Sequence, residues 1–248
     1  MDNTSLIFII FIFSLLIVCL IVAFTSIKNH FEFKEKSSVT NLNKSIEYSV
    51  EDGKGVHLSV GKSDLYNIHG AASLIGLETS KNILAQSGLS DTSPVITSGS
   101  GDISLLTQTA AAHSTIHKSK FGQISEPQEY LAGPTNMSFI AGIIPSSSNQ
   151  NLSSQLFIGN FGPEIGLVLH ESKKKHHFSF TATDDLAGQS ISYINSDETI
   201  LGDQIFSISS QITHKSSNFT MAIIQDIFRW FISLAIILLV FLKLLGIL

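Results

Sequence analysis

The chain reads as an α/β protein: a Rossmann-like, largely parallel sheet with helices on both faces, flanked by an N-terminal and a C-terminal transmembrane helix. Three observations predict this class. Short runs of β composition alternate with stretches of helical periodicity between residues 45 and 212, glycine turns follow three of those runs, and both ends of the chain are long and apolar. Strands alternating with helical segments argue for βαβ units, and so for parallel pairing under two layers of helix.

The ends come first because they dominate the composition. Of 248 residues, 14% are charged and 44% hydrophobic, whereas a soluble domain carries roughly a quarter charged residues. Leu6–Phe24 (LIFIIFIFSLLIVCLIVAF) is free of charge and, at about 1.5 Å per residue, matches a bilayer core of about 30 Å. A cleaved signal peptide would want a basic start and a shorter apolar run, but Met1–Ser5 holds no Lys or Arg. A transmembrane helix is therefore expected over 5–25. A second is expected over 221–248, where FISLAIILLVFL (Phe231–Leu242) follows an interfacial start that puts Ile223, Ile227 and Trp230 on one helical face.

Lys28, Lys34, Lys36 and Lys44 follow the first run, and Lys215 and Arg229 precede the second. By the positive-inside rule the middle of the chain faces the cytoplasm, in a two-pass protein of the cell membrane. The formal net charge of −5 excludes a strongly basic nucleic-acid binder, whose affinity rests on many phosphate contacts. A single cysteine, Cys19, excludes an intrachain disulfide and a cysteine-cluster zinc site.

Residues 26–44 are polar and mixed in charge, and are expected as a juxtamembrane stalk before an α/β domain over 45–212. Gly55–Val60 (GVHLSV) alternates as a strand does and ends at Gly61, and Ala71–Gln86 has helix-like apolar spacing. Pro94–Thr97 is a short strand broken by SGSGD, followed by a helix over Ile103–Ile116. Glu129–Ala132 is a strand candidate and Met137–Ile144 a helix, with Ser147 beyond it at an exposed position. Gln155–Ile158 is a strand that stops at Gly159-Asn160-Phe161-Gly162, and Pro163–His170 is the next helix. His177–Thr181 and Thr199–Leu201 complete the strands, with Gln189–Ile194 between them and Asp203–Ile212 after.

Three of these segments, GKGVHLSVG (Gly53–Gly61), LFIGNFGPEIGLVL (Leu156–Leu169) and DETILGDQIFSISS (Asp197–Ser210), resemble a bacterial family known as domain of unknown function 6754. Its members similarly show a gkg-H-h-s-h-G start, a G-s-F-G-x-E turn and a late L-I-G-E-E segment. Asn160 stands where Ser is common, and Gly202-Asp203 where the family tends to Gly-Glu-Glu. The resemblance spans about residues 45–212. It implies a Rossmann-like domain with membrane anchors, and no catalytic residue.

The glycine turns are the candidate ligand-binding turns: Gly61; Ser98, Gly99, Ser100, Gly101 and Asp102; and Gly159, Asn160 and Gly162 with Glu164. Carboxyl ends of parallel strands line the crevice where ligands bind, and helix N-termini there favour anions. SGSGD has the residue types to cradle a phosphate, but neither GxGxxG nor GxxxxGK[ST] is present. Tight strand-to-helix turns with Asp102 as a cap account for the same residues. Glu164 opens a helix, where the dipole stabilises a carboxylate; a place across a subunit contact is the other reading.

His113 and His117 lie four apart on a helix, but Ser114 stands where a zinc site of the HExxH kind has its Glu. His176-His177 beside Lys173–Lys175 reads as a basic turn, solvated or facing lipid headgroups, and His57 as a hydrogen-bonded strand histidine. No GxSxG elbow appears and no Cys–His pair is available. No metal and no cofactor are expected, and a membrane enzyme is the third reading because no acid–base pair can be assigned. The leading function is a non-enzymatic, membrane-anchored assembly or scaffold subunit, its partners the lipid bilayer and either itself or other membrane-protein subunits. The alternative is a cytoplasmic-facing small-ligand or nucleotide sensor tethered to the membrane.

Overall fold

Six parallel strands lie in the order β3-β2-β1-β4-β5-β6 in a computed structural model of the chain. It describes residues 37–87, 90–118 and 127–213, the side chains of 113–118 and 210 excepted, and helical residues 228–229, 231–233 and 235–236. The elements are α1 (Ser37–Glu51), β1 (Gly55–Gly61), α2 (Gly70–Ser87), β2 (Val95–Ser98), α3 (Gly101–Lys118), β3 (Gln128–Leu131) and α4 (Asn136–Ser147). They continue with β4 (Leu152–Asn160), α5 (Ile165–Lys174), β5 (Phe178–Thr183), α6 (Leu186–Asn195) and β6 (Glu198–Ile200), then a 3-10 turn (Gly202–Ser207) and α7 (Ile208–Thr213). The strand order reverses between β1 and β4, so the topological switch point lies there.

Period-two alternation along the strands feeds two different cores. Val56, Leu58 and Val60 of β1, Leu156 and Ile158 of β4, and Phe180 and Ala182 of β5 pack with α1, α2, α3 and α7. On the other face, Phe157 of β4 joins Phe161, α4 and α5. Much of the rest of that second face is polar and buried: His57, Ser59, Thr97, Gln155, Ser179 and Thr181, beside the apolar Val95. Most of these groups are hydrogen-bonded, although His57 Nδ1 meets no partner among the described residues. His57 Nε2 lies 3.1 Å from Thr97 Oγ1, which donates to Ser59 Oγ at 2.9 Å, and Gln155 Nε2 donates to Ser147 O at 2.9 Å. A parallel sheet buried on both faces usually shows unbroken apolar strands. Here the strands alternate because one face is held by hydrogen bonds.

Three expectations change. Residues 37–44 are not a stalk but the first half of α1, whose Val39, Leu42 and Ile46 are buried in the larger core. β4 starts three residues before the expected strand, because Ser154 Oγ meets Ser49 Oγ of α1 at 3.0 Å. Ser147 is fully buried rather than exposed, since α4 runs on through Pro145 to reach it.

The apolar run Leu6–Phe24 and residues 26–36 of the expected stalk lie outside the described residues, as does most of 221–248. Among the described residues no helix is long and apolar enough to cross a membrane, so the transmembrane flanks are without support there.

Candidate functional site

At the switch point, β1 and β4 are pressed together by their terminal glycines. Gly61 has φ +83° and Gly159 φ +145°, conformations that L side chains rarely adopt. A Cβ on Gly61 would lie 2.5 Å from Asn160 N, and one on Gly159 2.2 Å from Val60 O. The strand ends then close on each other: Lys62 N–H donates to Asn160 O at 3.2 Å and Gly99 N–H to Gly61 O at 2.9 Å. Ser98, fully buried, accepts at its carbonyl from Ala132 N–H at 2.9 Å, and Ser100 Oγ donates to Ser63 O at 3.3 Å.

The predicted turns are thus brought to one end of the sheet, where acidic side chains fill them. Asp102 accepts from Leu65 N–H at 2.7 Å and from Ile103 N–H at 2.9 Å. Burial pushes its carboxyl up, but the hydrogen bonds from Leu65, Ser100, Ile103 and its own backbone outweigh that and hold it below the usual carboxylate range. Asp102 stays ionised as a cap and a staple for the β1–α2 loop. Gly101 has no atom within 4 Å of a would-be Cβ.

Glu164 is the N-cap residue of α5 but makes no side-chain capping bond. Its carboxylate, 8% exposed, turns to Lys62 Nζ at 3.3 Å, and Gly162 leaves room for it. Asn160 Nδ2 donates to Asp184 Oδ1 at 2.8 Å, and the other oxygen of Asp184 lies 2.6 Å from His69 Nδ1. A carboxylate only accepts, so that nitrogen carries the proton. Lys62, His69 and Asp184 escaped the sequence reading. Lys62 directly follows a predicted turn glycine, which is the one signal available. Asp184 was hidden by a strand that runs two residues beyond its expected end.

His57 is fully buried, and burial first, then the nearby His177, lowers its pKa to about 3. It is a neutral structural histidine bonded to Thr97. The side chains of His113 and His117 lie outside those described. Among the described residues no group of three His, Cys, Asp or Glu side chains is arranged to hold a metal ion.

No protein-family model, curated protein or solved structure matches this chain. Its chemistry has to be read from its own surfaces.

One such surface borders the switch point. The β1–α2 loop carries Tyr66, 99% exposed, and Ile68, 89% exposed. The His69–Asp184 bond ties that loop to the turn into α6. α6 packs inward through Gly188, Gln189 and Ser192 and shows Leu186, Tyr193 and Ile194 outward, each more than two-thirds exposed. Positions 186, 193 and 194 share one side of a helix of 3.6 residues per turn. Five large apolar side chains thus stand on the loop and the helix that this bond joins.

Proposed function

We propose that this chain is a non-enzymatic, membrane-anchored assembly subunit, held in the bilayer by its two apolar ends with the α/β domain in the cytoplasm. The observation that carries the reading is the exposed apolar surface on the β1–α2 loop and α6. Large apolar side chains exposed on two elements joined by a hydrogen bond support an interaction surface. Anchoring to a plane raises the effective concentration of neighbours, so weak lateral contacts become populated. Phe228, Ile232 and Ile236 are exposed at helical spacing of four, as a lipid-facing stripe requires.

The sensor alternative finds less support at the glycine turns. The N–H groups of Lys62, Gly99 and Ile103 take acceptors from the chain itself, and the carboxylates of Asp102, Glu164 and Asp184 at these turns bond Leu65 N–H, Lys62 and Asn160.

The test is the mass of the full chain in mild detergent by multi-angle light scattering, with and without Tyr193→Asp and Ile194→Asp. We expect an oligomer or a stable complex that the paired substitutions dissociate, with the thermal midpoint unchanged. A strict monomer that captures no partner in mild pull-downs would sink the proposal.

A further inference from the structure

A second concavity lies at the opposite end of the sheet, where β4 and β5 begin. It is a cleft of about 770 Å³ between α1, the α1–β1 turn and the α5–β5 turn, within the range of small-molecule sites. Residues 37–213 contain nine Lys, no Arg and sixteen acidic side chains. In that acidic domain, Lys44, Lys54, Lys174 and Lys175 all line this one cleft, with Asp52 the only carboxylate. They converge from three separate segments, so local sequence does not explain the concentration. Lysines in the last turn of α5 complement its dipole, but Lys44 and Lys54 lie on other segments.

The lysines are weakly compensated. Lys54 meets Asp52 at 3.8 Å and Lys174 meets Glu171 at 3.7 Å, both of them loose surface pairs of small worth. Lys44 and Lys175 form no ion pair with another described residue. His177, on the floor of the cleft, responds to the field. Burial chiefly lowers its pKa, the Ser147 carbonyl opposes this, and the charges of Lys175 and Lys54 lower it further. At the rim, His176 is the C′ residue of α5 and has φ +57°, where glycine is usual. His177 N–H bonds Ser172 O and His176 N–H bonds Lys173 O, both at 3.1 Å, the Schellman pattern. The turn thus carries an imidazole at the cleft in place of the residue that favours its backbone.

We propose that this cleft binds a phosphate-bearing anion, supplied either by a soluble phosphoester or by the headgroup of an anionic lipid. Several lysines acting as point charges suit a compact, multiply charged phosphate. The ammonium groups repel one another until such an anion enters, so occupancy stabilises the fold. The site is independent of the apolar surface on α6, and either proposal stands without the other.

The experiment uses the full chain in neutral detergent micelles. One arm titrates inorganic pyrophosphate. The other dopes the micelles with phosphatidic acid, against phosphatidylcholine as the uncharged-balance control. Thermal midpoints are read throughout. We expect a saturable rise of several degrees in at least one arm, and the responding arm names the source. In Lys44→Gln/Lys175→Gln the half-saturation concentration should rise tenfold or more. Lys81→Gln/Lys173→Gln, which removes equal charge outside the cleft, should stay within twofold of wild type. Lys44→Arg/Lys175→Arg should bind, which separates a lost charge from a damaged fold. No response in either arm, or equal loss in both glutamine pairs, overturns the proposal.

Discussion

Two glycines from the predicted turns should behave in opposite ways when each becomes alanine. Gly159→Ala places a side chain at φ +145° with its Cβ 2.2 Å from Val60 O. The backbone conformation alone costs about 1–3 kcal/mol. Relieving the overlap pushes β4 from β1 and breaks the Lys62 N–H to Asn160 O bond, about 0.5–1.5 kcal/mol more. A total loss of about 1.5–4.5 kcal/mol lowers the midpoint of a domain this size by about 3–18 °C. Gly101→Ala meets nothing within 4 Å and sits in the first turn of α3, where alanine gains up to about 1 kcal/mol of helix propensity. Its midpoint should match or slightly exceed wild type. Far-UV circular dichroism melts of the full chain in detergent check both. The reasoning fails if Gly159→Ala melts with wild type, or if Gly101→Ala is the damaging change.

Three further outcomes follow from named groups. The folded pKa of His57, about 3, lies below its unfolded value near 6.5, so its contribution is complete above about pH 6.5 and is lost as pH falls towards 3. At pH 5 that loss is about 2 kcal/mol; His57→Gln should show a smaller drop in midpoint between pH 7.5 and pH 5, and an equal drop refutes the assignment. Lys62→Met should cost about 1–3 kcal/mol by leaving the Glu164 carboxylate unpaired, while Lys62→Met/Glu164→Gln returns most of it; strictly additive losses in urea titrations would show the pair uncoupled. For orientation, Ala141 is exposed on α4, and Ala141→Cys in a Cys19→Ala background should react with an impermeant maleimide only after cells are lysed. Labelling of intact cells would place the domain outside.

Strand and helix order was legible because apolar periodicity and glycine punctuation agree from β1 to α7. α1 was not, because its buried stripe of Val39, Leu42 and Ile46 is interleaved with Ser, Thr and Asn that score as loop. Those residues turn helical because Ser45 and Ser49 pack small and close, the latter bonded to Ser45 O at 2.7 Å and reaching Ser154. That pairing is tertiary, and no local window contains it. The glycine segments do lie at strand ends, but Gly61, Gly159 and Asn160 belong to the strands themselves and Gly101 and Asp102 to a helix, and spacing alone does not tell whether their N–H groups face a ligand or another strand. Only the register of β1 against β4, Gly61 opposite Asn160, decides it. The basic cleft was half legible. Lys173–His177 stands out as a run, but Lys44 and Lys54 join it only through the packing of α1 across the starts of the strands.

The distribution of charge explains why an anion site would sit at the less usual end of such a sheet. Helix N-termini at the carboxyl ends of strands normally attract anions. Here Asp102 opens α3 and Asp185 accepts from Gly188 N–H at 2.7 Å to cap α6, while Glu164 at the start of α5 is turned to Lys62, so carboxylates of the chain already stand in that field. At the opposite end the last turn of α5 presents partial negative charge, and only lysine side chains supply attraction. A site built from mobile ammonium groups rather than fixed backbone dipoles is open to screening. The Debye length shortens from about 30 Å at 0.01 M to about 8 Å at 0.15 M, so pyrophosphate affinity in the cleft should fall steeply across that range. Affinity measured calorimetrically on the full chain at four salt concentrations tests this. A flat response would mean that backbone groups, not Lys44, Lys54, Lys174 and Lys175, hold the anion.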